Sequence, residues 1–190
     1  VLPWADNVQA ILSAGYAGAG LGQAVADILF GHTNPSGKTS VTWPVRPEDC
    51  PAFLGYPGEQ GTHLYREGIF VGYRFFDIRH IQPLFPFGHG LSYTSFTYDA
   101  LELTTGADDV TVRFTLSNTG ARTGWEVCQL YLGRTPTAPN RALPHHPLRA
   151  LKGFATVCLE PGESRVVDMT LSRRDLAYFD TVRDDWTVPA

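Results

Sequence analysis

The chain has 190 residues, of which 43% are hydrophobic and 18% are charged, so it can bury a core and is not intrinsically disordered. Its net charge of −4 gives no attraction for nucleic acid or an anionic membrane, and no apolar run approaches the roughly 20 residues that span a bilayer. We therefore expect a soluble globular protein of one or two domains, either cytoplasmic or secreted.

The first part of the chain, residues 1–44, is typical of an α/β fold. An apolar run of ambiguous type at 8–13 is followed by the glycine-rich stretch AGYAGAGLG. Residues 23–30 then carry apolar side chains at helical spacing, and Gly31 is a natural helix stop. After the turn sequence NPSGK, residues 39–43 (TSVTW) alternate in the manner of a strand.

The glycine-rich stretch does not match a nucleotide-binding motif. Gly18, Gly20 and Gly22 give GxGxG, and Gln23 stands where the dinucleotide fingerprint GxGxxG has its third glycine. NPSGK at 34–38 also lacks the frame of a phosphate-binding P-loop. We expect these glycines to form a tight turn before a helix that packs on a sheet.

Residues 45–90 are irregular in pattern and rich in proline and aromatic residues. We expect an ordered connector that packs across the surface of another domain, because its aromatic side chains require burial. These side chains are Tyr65, Phe70, Tyr73, Phe75, Phe76, Phe85 and Phe87.

From residue 91 onwards, alternating patterns predict short strands at 96–103, 110–116, 127–132, 148–157 and 164–171. Turn sequences at 118–120 and 161–162 separate neighbouring runs. Regular short strands of this kind indicate a β-sandwich of the immunoglobulin or fibronectin type III style. Such a fold has about seven strands. Only five or six can be counted in the sequence, so we expect the last strand to lie beyond Ala190.

The acidic residues show no paired catalytic pattern. The adjacent aspartates at 108–109 and 184–185 are expected in solvated turns, because neighbouring side chains on a strand face opposite ways. Glu67 lies near Arg66 and Arg74 among aromatic residues. We favour a structural ion pair with an arginine for Glu67, with a ligand contact as the alternative.

The cysteines and histidines show no metal-binding spacing, so we predict no metal ion and no cofactor. Cys50, Cys128 and Cys158 form no CxxC motif and are expected to be ordinary thiols, although a bridge between Cys128 and Cys158 stays possible. The histidines at 145–146 lie between two prolines and are expected in a surface loop.

Three long stretches follow one another in a familiar order: AVADILFGHTNPSGKTSVTWP at 24–44, YREGIFVGYRFFD at 65–77 and PLFPFGHGLSYTSFTY at 83–98. Together they resemble the C-terminal half of glycoside hydrolase family 3, the β-glucosidase and β-xylosidase family. The later runs VRFTLSNTGARTGWEVCQLYL and LKGFATVCLEPGES are similar to the fibronectin type III-like domain that closes many members. The resemblance covers nearly the whole chain.

This resemblance implies a fold class of α/β followed by all-β. Residues 1–44 would be the remnant of an α/β sandwich, 45–90 an irregular aromatic-rich connector, and 91–190 an immunoglobulin-like (fibronectin type III-like) β-sandwich without its last strand. Family members begin with a (β/α)8-type barrel, so the resemblance also implies an upstream barrel domain as an intramolecular partner.

The resemblance further implies a retaining hydrolase with an Asp nucleophile and usually a Glu acid/base. The family's Asp belongs to the barrel and its Glu to an earlier part of the α/β sandwich, so no catalytic residue is assigned in this chain. Tyr65 and Glu67 are our candidates for the edge of the substrate pocket. Family members often have PGQEGG where this chain has AGYAGAGLGQ, which puts a more apolar turn near the aglycone side.

We therefore expect a segment of a β-glycosidase, and a β-glucosidase before the others, that acts on β-linked oligosaccharides or glycosides and is inactive alone. β-Xylosidase, α-arabinofuranosidase and N-acetylglucosaminidase activities stay open. The alternative is a carbohydrate- or protein-binding β-sandwich module without a catalytic role. A third possibility is a stand-alone structural relic.

Overall fold

The computed structural model of the protein describes residues 1–133 and 146–188. Its described residues divide into two compact units. The N-terminal unit contains residues 1–33, 37–90, 133 and 146–149, and the sandwich unit contains residues 34–36, 91–132 and 150–188. Among the described residues, no helix is long and apolar enough to cross a membrane.

The N-terminal unit contains helix α1, Leu21–Leu29, at the predicted position. The helix follows a turn in which the Leu21 amide donates to the Gly18 carbonyl at 3.1 Å. It ends before Gly31, whose φ of 75° favours glycine and confirms the predicted stop. A side chain added at Gly18 or Gly22 would meet no atom within 4 Å, so the glycine-rich stretch forms a turn rather than a close backbone contact.

The predicted strand at 39–43 is reduced to an isolated bridge. The Trp43 amide donates to the Phe85 carbonyl at 2.8 Å, and the Thr39 amide donates to the His89 carbonyl at 2.8 Å. The Gly88 amide, and not that of His89, donates to the Thr39 carbonyl, so the register is irregular at this second contact and a regular ladder does not form. The run at 8–13 forms neither helix nor strand.

The connector contains regular structure that the sequence pattern did not predict. Helix α2, Tyr73–Arg79, buries Phe76, and it ends at His80 in the left-handed conformation with a φ of 54°. The N-terminal unit also has single turns of 3₁₀ helix at Ala5–Asn7, Pro47–Asp49 and Phe53–Gly55. The connector is therefore ordered, as expected, and less irregular than its sequence indicated.

The sandwich unit confirms the five predicted long strands and adds a short hairpin. The strands are β1 (Phe96–Thr105), β2 (Asp109–Asn118), β3 (Gly124–Gly133), β4 (Arg149–Leu159), β5 (Ser164–Ser172), β6 (Tyr178–Asp180) and β7 (Asp185–Thr187). They form an antiparallel sheet in the order β1-β2-β5, a pair β3-β4 and an antiparallel hairpin β6-β7. Helix α3, Arg173–Leu176, follows β5 and begins with a capping box between Ser172 and Asp175.

The core of the sandwich unit lies between the two larger sheets. Alternate positions of the strands supply it, because successive side chains point to opposite faces of a sheet. Register pairs such as Val112 with Met169 and Phe114 with Val167 place neighbouring side chains on one face. The buried cluster consists of Val112, Phe114, Leu116, Cys128, Val157, Leu159, Val167 and Met169.

Asn118 is a buried polar side chain at the end of β2, with 1% of its surface exposed. Its Oδ1 accepts from the Thr94 hydroxyl at 2.7 Å and from the Gly120 amide at 3.1 Å. Its Nδ2 donates to the carbonyls of Arg122 at 2.8 Å and Leu159 at 3.0 Å. Every polar atom of the side chain is therefore paired, as burial requires.

Predictions were also made for the three cysteines, the two pairs of adjacent aspartates and the histidines at 145–146. Cys50, Cys128 and Cys158 are free thiols, so the possible Cys128–Cys158 bridge is not formed. The aspartates at 108–109 and 184–185 are exposed and lie at or beside turns, as expected. His145 lies outside the described residues, and His146 is half-buried.

Candidate functional site

Tyr65 and Glu67, the predicted pocket-edge residues, lie in the part of the connector that precedes α2. Tyr65 is 79% exposed, so the burial that its aromatic ring was expected to need is not found. Glu67 is half-buried and begins a turn in which the Phe70 amide donates to its carbonyl at 3.0 Å. The Tyr65 ring therefore lies at the surface, two residues before the carboxylate of Glu67 in the sequence.

A tight hairpin brings two further aromatic residues to this surface. Glu59 and Thr62 exchange two backbone hydrogen bonds, at 3.0 and 2.9 Å. Gln60 and Gly61, between them, have φ values of 50° and 76°. Positive φ at both central residues is the signature of a type I′ hairpin turn. The chain therefore reverses direction at this turn, and the residues that precede 59 lie beside those that follow 62.

The hairpin assembles an aromatic cluster of Tyr56, His63 and Tyr65. The His63 ring meets Tyr65 edge-to-face at 4.9 Å and Tyr56 at 6.4 Å, measured between ring centroids. His63 Nδ1 lies 2.8 Å from the Gly55 carbonyl oxygen. A carbonyl only accepts, so Nδ1 carries the proton, and in the neutral ring Nε2 is an acceptor. Tyr56 and His63 were not among the predicted site residues, although the Gln60-Gly61 dipeptide of the two-residue turn is a signal that the sequence contains.

This aromatic cluster has the chemistry of a sugar-binding surface. Tyr56 and Tyr65 are 78% and 79% exposed, and each combines an apolar ring face with a polar hydroxyl. Such faces can lie against the C–H face of a pyranose, while hydroxyl and imidazole groups bond to sugar hydroxyls. Because His63 contacts both tyrosines, it holds the two rings in a defined arrangement.

Within the described part of the chain, no ion pair joins Glu67 to an arginine, so the structural ion pair favoured for Glu67 is not found there. Arg74 instead donates to the Ile69 carbonyl at 3.4 Å and lies 5.9 Å from the Tyr73 ring centroid. The half-buried Glu67 carboxylate is therefore not neutralised by either neighbouring arginine.

The N-terminal unit does contain a strong ion pair, between Arg149 and Asp77. The guanidinium donates to both carboxylate oxygens, at 2.7 and 3.1 Å. Such two-point pairing is the geometry that arginine and a carboxylate prefer. The partners are separated by 72 positions, so no local sequence pattern could have identified them.

Most other described carboxylates with defined partners serve structural roles. Backbone or side-chain donors of the chain occupy oxygens of Asp27, Asp49, Asp77, Glu160, Glu163, Asp168, Asp175 and Asp180. Within residues 1–133 and 146–188, no group of three or more His, Cys, Asp and Glu side chains is arranged to hold a metal ion.

Three carboxyl groups of the sandwich unit have a lowered pKa. Hydrogen bonds from Arg113 lower the pKa of Asp168, and those from Ser172 lower the pKa of Asp175. The Glu160 amide, and then Arg165, lower the pKa of Glu163. A lowered pKa keeps a carboxyl group ionised and is opposite to the shift that a general acid needs at neutral pH.

The outward face of the β3-β4 sheet carries a second group of aromatic residues. Cys128 and Val157 point into the core, so Trp125 and Phe154, at odd separations from them, lie on the opposite face. Both side chains are exposed. Tyr131 lies on the same face as Trp125 by strand alternation. We call these three residues the outer aromatic face.

Comparison with known sequences gives two matching family models. Residues 1–73 match the model for the glycosyl hydrolase family 3 C-terminal domain, and residues 126–190 match a fibronectin type III-like domain. A probable beta-glucosidase I from Emericella nidulans is 43% identical over 97% of this chain and 22% of its own length. A thermostable beta-glucosidase B from Acetivibrio thermocellus is 42% identical over 98% of this chain and 25% of its own length.

Comparison with solved structures also finds beta-glucosidases with a similar fold. A beta-glucosidase from Kluyveromyces marxianus has a TM-score of 0.91 and 38% identity, covering 98% of this chain and 22% of that protein. Beta-glucosidase 3B from Thermotoga neapolitana, in complex with glucose, has a TM-score of 0.87 and 38% identity, covering 95% of this chain and 25% of that protein. The chain thus spans about a quarter of the length of these relatives. With both models matched in order, the chain contains a glycosyl hydrolase family 3 C-terminal domain followed by a fibronectin type III-like domain, and it corresponds to a C-terminal fragment of its beta-glucosidase relatives.

Proposed function

We propose that this chain is a C-terminal segment of a retaining β-glucosidase. The parent protein would hydrolyse terminal non-reducing β-D-glucosyl residues of oligosaccharides or glycosides. The observation that carries the proposal is that relatives named as beta-glucosidases match along nearly the whole chain. The solved relative that holds glucose supports the same sugar.

In this proposal the segment supports the substrate pocket and forms part of its edge. The catalytic acids come from the parts of the parent protein that lie outside this segment. A retaining enzyme needs two carboxyl groups about 5 Å apart, one ionised as nucleophile and one protonated as acid. Several described carboxylates of this chain are held in ion pairs, caps and turns, which supports a scaffolding role.

A direct test measures hydrolysis of a chromogenic β-glucoside by the parent protein and by the 190-residue chain alone. We expect turnover by the parent and none by the chain alone. Turnover by the isolated chain would mean that it contains both catalytic carboxyl groups and would overturn the scaffolding role. Parallel assays with β-xyloside, α-arabinofuranoside and N-acetyl-β-glucosaminide substrates test the sugar, and the β-glucoside should give the highest kcat/KM.

We further propose that Tyr65 and Glu67 contact the substrate on the aglycone side of the pocket. The exposed Tyr65 ring would stack on a sugar, and the unneutralised Glu67 carboxylate would accept hydrogen bonds from sugar hydroxyls. Tyr56 and His63 would hold the Tyr65 ring in place through the edge-to-face contacts.

The pocket-edge role is tested with Tyr65→Ala and Glu67→Gln in the parent protein. A lost stacking contact of about 1 kcal/mol corresponds to roughly a fivefold rise in KM for a disaccharide. Leu54→Ala is the matched control, since Leu54 lies in the same segment and is almost fully exposed but offers no ring or hydrogen bond. An unchanged KM in both variants would contradict the pocket-edge role of Tyr65 and Glu67. It would not contradict the proposed β-glucosidase activity of the parent protein.

A second candidate function, a carbohydrate-binding module, is favoured by the outer aromatic face. Trp125 and Phe154 are exposed on a sheet face, where they could stack on successive sugars of a β-glucan chain. The test is retention of the parent protein on insoluble cellulose or xylan, compared with the Trp125→Ala, Phe154→Ala double variant. Equal retention of the two proteins would contradict this function.

A further inference from the structure

The imidazole ring of His63 is held in place from several sides. Its Nδ1 donates to the Gly55 carbonyl at 2.8 Å, and Gly55 ends a turn of 3₁₀ helix that orders this carbonyl. The ring also contacts Tyr65 at 4.9 Å and Tyr56 at 6.4 Å, measured between ring centroids. Because the hydrogen bond and the ring contacts act on the same imidazole, its orientation is fixed before any ligand binds.

The second ring nitrogen of His63, Nε2, has no hydrogen-bond partner within residues 1–133 and 146–188. It is also open to solvent, since the Thr42 hydroxyl is the buried side-chain polar atom that lacks a partner in this part of the chain. Nδ1 carries the proton, so Nε2 of the neutral ring is an acceptor with a free lone pair. The cluster therefore presents a hydrogen-bond acceptor at a fixed position beside two exposed tyrosine rings.

This combination distinguishes between two classes of aglycone, the group that leaves when a β-glucoside is cleaved. A phenyl aglycone can stack on Tyr56 or Tyr65 but has no hydroxyl group. A sugar aglycone can place its C–H face on the same rings and also carries hydroxyl groups that donate hydrogen bonds. An acceptor that is paired with one ligand and left unpaired with another is a source of specificity.

We propose that His63 is a specificity-determining residue, whose Nε2 accepts a hydrogen bond from a hydroxyl of the aglycone sugar and thereby favours β-linked oligosaccharides over aryl β-glucosides. This inference rests on the proposed β-glucosidase activity of the parent protein and on the place of Tyr65 at the pocket edge. It gives His63 a direct contact with the substrate in addition to its contacts with the two tyrosines.

Two variants of the parent protein separate this hydrogen bond from the structural role of the ring. The amide of His63→Asn can take the place of Nδ1 and donate to Gly55, but it leaves no acceptor at the place of Nε2. The longer His63→Gln side chain carries its amide oxygen to the place of Nε2. We measure kcat/KM for cellobiose and for phenyl β-D-glucoside, and the ratio of the two is the readout.

His63→Asn should lower the ratio of cellobiose to phenyl β-D-glucoside by about fivefold, the effect of one neutral hydrogen bond. His63→Gln should keep most of the ratio. Leu64→Ala is the matched control, since Leu64 is the adjacent exposed residue and its side chain forms no hydrogen bond. An unchanged ratio in His63→Asn would overturn the proposal. An equal loss of ratio in the Asn and Gln variants would overturn it too, because the ring alone would then matter.

Deoxy analogues of cellobiose test the same contact in the unaltered parent protein, where no variant has to fold. Each analogue lacks one hydroxyl of the aglycone glucose. At least one of them should have a kcat/KM about fivefold below that of cellobiose. That same hydroxyl should make no difference in His63→Asn, since the partner of the lost hydroxyl is already absent. Equal kcat/KM values for all the analogues and cellobiose would overturn the proposal.

Assays of the unaltered parent also separate the role of His63 from the activity itself. Failure to hydrolyse both cellobiose and phenyl β-D-glucoside would overturn the proposed β-glucosidase function, and the role of His63 with it. Hydrolysis of both substrates, together with an unchanged ratio in His63→Asn, would overturn the role of His63 alone.

Discussion

The side-chain amide of Asn34 donates a hydrogen bond to the backbone carbonyl of Thr123 at 3.0 Å, although the two residues are 89 positions apart. Its Oδ1 accepts from the Ser92 hydroxyl at 2.9 Å and from the Tyr93 amide at 2.8 Å. Asn34 thereby ties the entrance of β1 to the entrance of β3. The short segment Asn34–Ser36 is a structural part of the sandwich unit, although it precedes that unit's other residues by more than 50 positions.

Asn34→Ala should destabilise the sandwich unit by about 1–3 kcal/mol, because it leaves polar partners of a half-buried side chain unpaired. Hydrogen–deuterium exchange of the Tyr93 and Thr123 regions measures the effect locally. Asn34→Asp keeps the two accepted hydrogen bonds but sets a carboxylate oxygen against the Thr123 carbonyl, so its exchange should rise at Thr123 more than at Tyr93. Asn7→Ala is the control, because this exposed side chain forms no hydrogen bond within the described residues. Equal effects of Asn34→Ala and Asn7→Ala would contradict the prediction.

Asn118→Ala should lower the stability of the sandwich unit by about 3 kcal/mol, since it leaves buried partners at Thr94, Arg122 and Leu159 without their bonds. Chemical denaturation of the protein measures the change. Ser117→Ala, one position earlier on the outward face, loses only a bond to Ser164 and should stay close to the original stability.

Asn118→Asp should behave differently from the alanine variant as the pH changes. Burial raises the pKa of a carboxyl group at this position, because the charged form is desolvated. The variant should therefore be most stable below the unfolded pKa of about 4 and lose stability as the pH rises. A denaturation midpoint independent of pH between about 4 and 7 would contradict the predicted burial.

The Asp168–Arg113 pair across β2 and β5 should make stability depend on acid pH. Arg113 donates to both carboxylate oxygens, at 2.8 and 2.9 Å, and lowers the pKa of Asp168. A lowered folded-state pKa gives stability that is present above the unfolded pKa of about 4 and is lost as the pH falls through the folded value. Asp168→Asn should flatten the Tm profile below about pH 4. Asp99→Asn, which removes an exposed carboxylate from the same sheet, should leave the profile unchanged.

Arg174→Met should loosen the β6-β7 hairpin, because it removes the cation from the face of Trp186 and keeps much of the length of the side chain. The contact is worth about 0.5–1 kcal/mol at an exposed site. Faster amide exchange in residues 178–187, with unchanged exchange in β2 and β5, is the expected result. Arg183→Met removes an exposed arginine of the hairpin turn and should have a smaller effect. No change in the Arg174 variant would show that the hairpin is held by other contacts.

The long strands were predictable because alternation is a local property. β5 illustrates this: Val167, Met169 and Leu171 are buried, while the residues between them face water. The helix α1 was predictable for a similar reason, since helical spacing and a following glycine are both readable in a short window. The strand expected at 39–43 did not form because its contacts with 85–89 are irregular in register, and the partner segment lies outside a local sequence window.

The candidate site was less predictable, because its geometry depends on contacts between distant or locally ambiguous residues. Tyr65 was identified, but its neighbours Tyr56 and His63 come together only through the type I′ turn. The ion pair expected at Glu67 was argued from nearby arginines, whereas the two-point ion pair found in this unit joins Arg149 to Asp77. A sequence lists possible partners and does not say which of them the fold brings within hydrogen-bonding distance.

The placement of Asn34–Ser36 in the sandwich unit also bears on how such a domain is inherited. A recombination breakpoint at residue 90 would transfer the described strands β1 to β7 without Asn34. The transferred module would then lose the hydrogen bonds of Asn34 to Ser92, Tyr93 and Thr123 unless its new host supplied an equivalent amide. Exchange of this domain between genes is therefore constrained by a three-residue element that lies outside its apparent boundaries.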